Sequence, residues 1–100
     1  MSRLLWTEEA VEDLQAIRDY IARDSLRYSR LVVERIVESA ERIAVYPESG
    51  RVVPELGRQE IREVIVGSYR VVYRVHEDAT QILTVFRASR LFPHSTLQQE

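Results

Sequence analysis

The chain has 100 residues, 45% of them apolar and 30% charged, with a formal net charge of −2. That length bounds it to one domain with one modest core, and the composition is that of a soluble globular protein. The lack of cysteine excludes disulfides and thiolate metal sites, no apolar run approaches the ~20 residues of a membrane span, and the acidic balance argues against a direct grip on nucleic acid, which calls for basic excess. All fourteen basic residues are arginine, whose planar fork suits bidentate pairing with carboxylate or phosphate. The opening MSRLLWTEEA lacks a signal-peptide layout, so a cytoplasmic location is expected.

Arg3 to Trp6 is a short apolar run fit for a strand. Thr7 follows as an N-cap, with Glu8 and Glu9 where the helix dipole favours acid. Ala10, Leu14, Ile17 and Ile21 then recur at helical spacing, which predicts a helix over 7–23. Ser25 caps a second helix, predicted over 26–46, with Val33, Ile36, Ala40 and Ile43 as its apolar stripe. Pro47 stops it. The two helices read as a hairpin.

Pro47 to Arg58 reads as a loop with a short edge strand at Arg51 to Val53. Three strand-like runs follow, at about 60–66, 69–76 and 80–87. Gly67-Ser68 suits a two-residue hairpin turn between the first two. In the middle run Tyr69, Val71, Tyr73 and Val75 alternate with Arg70, Val72, Arg74 and His76. The last ten residues, 91–100, read as a mobile tail of the single domain. The predicted class is α+β: a strand, a two-helix hairpin on one sheet face, then an antiparallel meander. The opposite sheet face is expected to be free, and arginines on a free face invite a ligand or partner.

The arginines at 62, 70, 74, 87 and 90 stand inside or beside these strands. Structural readings exist for several. Arg70 and Arg74 can pair with Glu60, Glu63 or Glu77 across strands. Arg51 can hold the loop through Glu48 or Glu55, and Arg62 can pair with Glu60. Trp6 reads as a core plug and His76 as solvated. Asp13 can cap or pair locally. No set of metal ligands emerges, and no cofactor is expected.

Four stretches in order resemble the RelE/ParE superfamily of bacterial toxins, the ParE branch most closely. They are WTEEAVEDLQAIRDYIARDS at 6–25, YPESGRVVPEL at 46–56, IREVIVGSYRVVYRV at 61–75 and VFRASR at 85–90. The resemblance spans Leu4 to Arg90. It implies a RelE-like fold whose first strand lies beside its last, and a type II toxin held inactive by a cognate antitoxin. ParE-like members poison DNA gyrase without chemistry of their own, whereas RelE-like members cut ribosome-bound mRNA.

If the chain were such a ribonuclease, the resemblance would make Arg70, Arg87 and Glu55 catalytic, the arginines on the phosphate and Glu55 as base. Cleaving members carry His or Tyr after the last strand; here Ala88, Ser89 and Arg90 stand there, and His94 lies beyond Pro93. The reading therefore leans to a binding inhibitor of DNA gyrase rather than an enzyme. Arg70, Arg74, Arg87 and Arg90 are expected to bind antitoxin or target. A ribosome-dependent endoribonuclease is the alternative, and a non-toxic regulatory partner of the antitoxin the second alternative.

Overall fold

The computed structural model describes residues 2–94. In chain order it has β1 (Arg3–Trp6), α1 (Glu8–Ala22), α2 (Leu26–Val45), β2 (Arg51–Val52), β3 (Ile61–Val66), β4 (Tyr69–Val75) and β5 (Ala79–Arg87). The strands form one five-stranded sheet in the order β1-β5-β4-β3-β2. β1 runs parallel to β5, and every other neighbouring pair is antiparallel. The helix and strand boundaries agree with the sequence reading to within one or two residues.

Local chemistry explains the elements. The Thr7 hydroxyl accepts from the Ala10 N–H at 3.0 Å and Ser25 from the Tyr28 N–H at 3.1 Å, so each helix starts on a side-chain cap. Thr7 also ties α1 to the sheet, because its hydroxyl donates to the Leu83 carbonyl at 2.9 Å. Gly67 turns the β3–β4 hairpin at a φ of 58°, which a side chain would strain.

The helices pack on one sheet face. Ala10, Val32, Ile36, Ala40 and Ile43 meet Tyr69, Val71, Tyr73, Ile82 and Val85 there, with Trp6, Ile17 and Ile21 at the margin. On α2 the buried stripe runs through Val32 rather than Val33, which is only half-buried. The difference is one residue of helical phase. Val32 shares a face with Ser29, Ile36 and Ser39.

The opposite face is not free. Val53, Ile61, Val72, Leu83, Phe86 and Phe92 form a second core there, joined by Leu56. This corrects the expectation of an open sheet face. β4 and β5 are apolar on both sides, and one more residue in β5 re-aims the strand. Val72 pairs with Thr84 and Tyr73 with Ile82, so Leu83 is bulged out of register. Leu83 and Phe86 thereby supply a second stripe that the loop after β2 covers. Phe92, in the stretch expected to be a tail, docks edge-on to Phe86 with ring centroids 5.7 Å apart. Residues 95–100 of that stretch lie outside the described residues.

Candidate functional site

The loop after α2 is anchored by Tyr73. Its hydroxyl donates to the Pro47 carbonyl at 2.7 Å and accepts from the Gly50 N–H at 2.9 Å. Burial raises the Tyr73 hydroxyl above its ordinary pKa, so it stays a donor. Gly50 lies so close to β3 that a Cβ there would come within 2.5 Å of the Glu63 carbonyl oxygen. Arg62 closes the anchor by donating to the Gly50 carbonyl at 3.0 Å.

With Gly50 fixed, Arg51 sits opposite Glu63 in the β2–β3 pair. Its Nε donates to Glu63 Oε2 at 2.6 Å. From the other side, Arg70 Nε donates to Glu63 Oε1 at 2.7 Å. The turn at 54–56 then swings Glu55 over Arg70. Both terminal nitrogens of Arg70 donate to the Glu55 carboxylate, at 2.8 and 2.7 Å. The order is Arg51, Glu63, Arg70, Glu55, with charges alternating and summing to zero.

Burial is graded along this row. The Glu63 side chain is 0% exposed, Arg70 9%, Glu55 34% and Arg51 62%. The Arg70 guanidinium carbon lies 5.2 Å from the Phe86 ring and 5.3 Å from the Phe92 ring, a cation–π collar that excludes water. Buried charge is tolerated only when paired and hydrogen-bonded. Among the described residues no buried side-chain polar atom lacks a partner. The Arg70 fork pulls the Glu55 carboxyl down to about 2. Glu55 in turn raises the pKa of Arg70.

The arginines singled out in the sequence do not form one group. Arg70 and Arg87 belong to different faces of the sheet. Arg70 lies with Phe86 in the second core, while Arg87 pairs with Tyr69 on the helix side, its guanidinium carbon 5.8 Å from that ring. Arg87 and Arg90 border an open hollow of about 230 Å³, whose other walls include Asp13, Ile17, Tyr20 and Tyr69. Arg74 is half-buried, in register with Ile61 and Gln81, and its charge helps lower the Glu60 carboxyl behind the hydrogen bonds from the Glu60 backbone and Arg58.

Three pairings expected from sequence are replaced. Arg51 takes Glu63 rather than Glu48 or Glu55. Arg62 takes the Gly50 carbonyl rather than Glu60, which Arg58 holds at 2.6 Å. Asp13 pairs far from its own helix, accepting from the Thr84 hydroxyl at 2.6 Å and the Val85 N–H at 3.0 Å. It thereby serves a backbone donor beside the Leu83 bulge. Sharing a hydrogen bond with Asp13, together with that carboxylate's repulsion, raises Glu9 to about 7. His94 is exposed, its ring 5.0 Å from Phe92. Among the described residues no group of three or more His, Cys, Asp or Glu could hold a metal ion.

Two residues central to the site carried only a weak sequence signal. Phe92 reads from the sequence as part of a polar tail, five places past the end of the last strand. Gly50 looked like a loop breaker.

A two-helix hairpin on a mixed sheet, with the first strand parallel to the last, is the architecture of the RelE/ParE toxins. Residues 4–92 match the family described as ParE toxin of type II toxin–antitoxin system, parDE, and the chain belongs to that family. It is 36% identical over 92 residues to Toxin RelE2 of Caulobacter vibrioides, a match covering 91% of this chain and 100% of the relative. A chain of the chromosomal ParDE system from P. aeruginosa superposes with a TM-score of 0.72 at 27% identity, over 87% of this chain and 96% of the other. The free E. coli toxin RelE, in a mutant form, shares the fold with a TM-score of 0.71 at 16% identity, over 98% and 95%. Among the described residues no helix is long and apolar enough to cross a membrane.

Proposed function

We propose that this type II toxin acts by binding, with DNA gyrase as its target, in the cytoplasm, and that a cognate antitoxin neutralises it. The observation that carries this reading is the mutual pairing of Arg70 and Glu55. Phosphodiester cleavage would need Arg70 turned towards a phosphate and a base with a pKa near neutrality. Arg70 is instead engaged by two carboxylates, and Glu55 is held at about 2. Ala88, Ser89 and Arg90 follow the last strand, where an acid would be wanted. A gyrase inhibitor needs none of this chemistry, only a complementary surface.

One observation favours the ribonuclease reading: a relative at 36% identity bears the name Toxin RelE2. Two assays on purified, antitoxin-free protein separate the readings. Gyrase supercoiling should stall, or cleaved DNA accumulate, while primer extension shows intact mRNA on translating ribosomes. Codon-phased cuts with gyrase unaffected would reverse the assignment. If neither assay responds, the chain is a non-toxic regulatory partner of its antitoxin.

A further inference from the structure

The inner side of α2, with Val32, Ile36, Ala40 and Ile43, is buried against the sheet. Its outer side is uncovered from end to end. Arg27, Leu31, Glu34, Glu38, Glu41 and Val45 follow one another there at alternating steps of four and three residues, and all are exposed. That spacing is the seam by which one helix lies along another.

The two ends of this face are alike in shape and opposite in charge. At the start of α2 an open hollow of about 470 Å³ lies among Arg27, Tyr28, Arg30 and Leu31. At its end a second, of about 610 Å³, lies among Val45, Tyr46, Glu48 and Glu77. Each end offers a tyrosine, Tyr28 at 53% exposure and Tyr46 at 68%, and an aliphatic neighbour, Leu31 or Val45. The first carries two arginines. The second carries two carboxylates, and Glu41 stands one turn before Val45.

This order of charge runs against the helix dipole. α1 opens on Glu8 and Glu9, as the dipole favours, whereas the first turn of α2 holds no acid and includes Arg27. Towards the other end Glu38 and Glu41 stand where the dipole favours cations, and Arg42 is the exception. The stability of the helix itself does not account for such an arrangement. A partner helix laid alongside in the reverse direction does.

We infer that the outer face of α2 is a self-association surface, on which a second copy of this chain packs its own α2 antiparallel. Arg27 and Arg30 of each copy meet Glu41 and Glu48 of the other, and Tyr28 and Leu31 meet Val45 and Tyr46. The second copy is the occupant because one two-fold axis satisfies both ends at once, as a self-complementary patch requires. Between the ends, Glu34, Arg35, Glu38 and Arg42 sum to zero charge, so the centre of the contact adds no net repulsion. A helix of 20 residues offers a strip ~30 Å long and ~10 Å wide, short of the ~1,200 Å² buried in stable complexes. The pairing is therefore weak, reversible and governed by charge, and it is independent of which target the toxin acts on.

Charge exchange between the two ends tests this. Sedimentation velocity of the purified full chain, followed from about 0.01 to 1 mM, should show monomer passing to dimer. Salt at about 1 M, which screens exposed charges beyond ~3 Å, should reverse the passage. Arg27→Glu/Arg30→Glu and Glu41→Arg/Glu48→Arg should each weaken dimerisation by about 10-fold or more, with far-ultraviolet circular dichroism unchanged. An equimolar mixture of the two variants should dimerise again, because each now presents the charges that the other lacks; a variant that merely misfolded would not be rescued. The chain has no cysteine, so Glu38→Cys with a short bismaleimide should trap the dimer near its axis, and Arg18→Cys on α1 should not. A chain that stays monomeric to 1 mM overturns the inference. So do dimers that survive both reversals, a mixture that fails to re-associate, or equal trapping from Arg18→Cys.

Discussion

Arg70 donates its Nε–H to Glu63 at 2.7 Å across the β3–β4 pair, and Glu63 is wholly buried while Arg70 is nearly so. The two are diagonal neighbours, since Arg70 stands opposite Ile65 and Glu63 opposite Val72. Glu63 also takes Arg51, so one buried carboxylate answers two guanidinium groups. Deleting it leaves Arg70 without its interior partner. Glu63→Ala should cost about 3–5 kcal/mol. Glu55→Ala, whose carboxylate is a third exposed, should cost only about 1 kcal/mol after solvent screening. Urea unfolding of both variants at neutral pH gives the comparison; equal losses would contradict the burial gradient.

The two perturbed carboxyls act in opposite directions with pH. Glu55 is depressed from 4.5 to about 2 on folding. Its stabilisation is therefore present above pH 4.5 and disappears as pH falls towards 2. Glu9 is raised from 4.5 to about 7. Its contribution is present below 4.5 and disappears as pH rises through 7. Denaturant midpoints followed over pH 2–8 should show Glu55→Gln flattening the acid limb and Glu9→Gln flattening the neutral limb. A variant that alters the other's limb would show the signs to be wrong.

Asp13 joins α1 to β5 by accepting from Thr84 and Val85. Asp13→Ala leaves a strand N–H beside the bulge without its partner and should cost about 1–3 kcal/mol. Asp13→Asn retains one acceptor oxygen and should lose less. Thermal melting ranks the two. The same Asn variant should return the Glu9 carboxyl towards its ordinary range, which carboxyl NMR titration reads directly.

Gly50 admits no side chain. A Cβ at 2.5 Å from the Glu63 carbonyl meets backbone that cannot swing aside. Gly50→Ala should cost about 1–3 kcal/mol through overpacking. Tyr73→Phe leaves the Gly50 N–H and the Pro47 carbonyl unanswered and should cost about 1–3 kcal/mol as well. Because both loosen the same anchor, the double variant should lose less than the sum of the two. Full additivity in unfolding experiments would place Gly50 and Tyr73 in independent contacts.

Phe92 covers Arg70 and completes the second core. Phe92→Ala should cost about 3 kcal/mol. A melting temperature within a degree of the parent would mean that the segment after Arg90 contributes nothing to the fold.

Most of the element pattern follows from contacts close in sequence. Thr7 and Ser25 cap helices through amides three residues away, and Gly67 turns a hairpin by its own φ. The stripe on α1 and the alternation in β4 are likewise local, and the four family-like stretches follow the same order. Such features are legible because the interacting groups are neighbours along the chain. The site depends on separations that periodicity does not encode. Glu55 and Arg70 are 15 positions apart, Arg51 and Glu63 are 12, and Asp13 and Thr84 are 71. Alternation assigns Arg70 and Arg87 to opposite faces only once the Leu83 bulge and the pairing register are known. It gives no sign that the face under Arg70 is filled by a loop and by Phe92. Burial then determined what each arginine does. Where the fold excludes water, Arg70 had to find carboxylates of its own chain; where it does not, Arg87 and Arg90 stay exposed at the rim of a hollow.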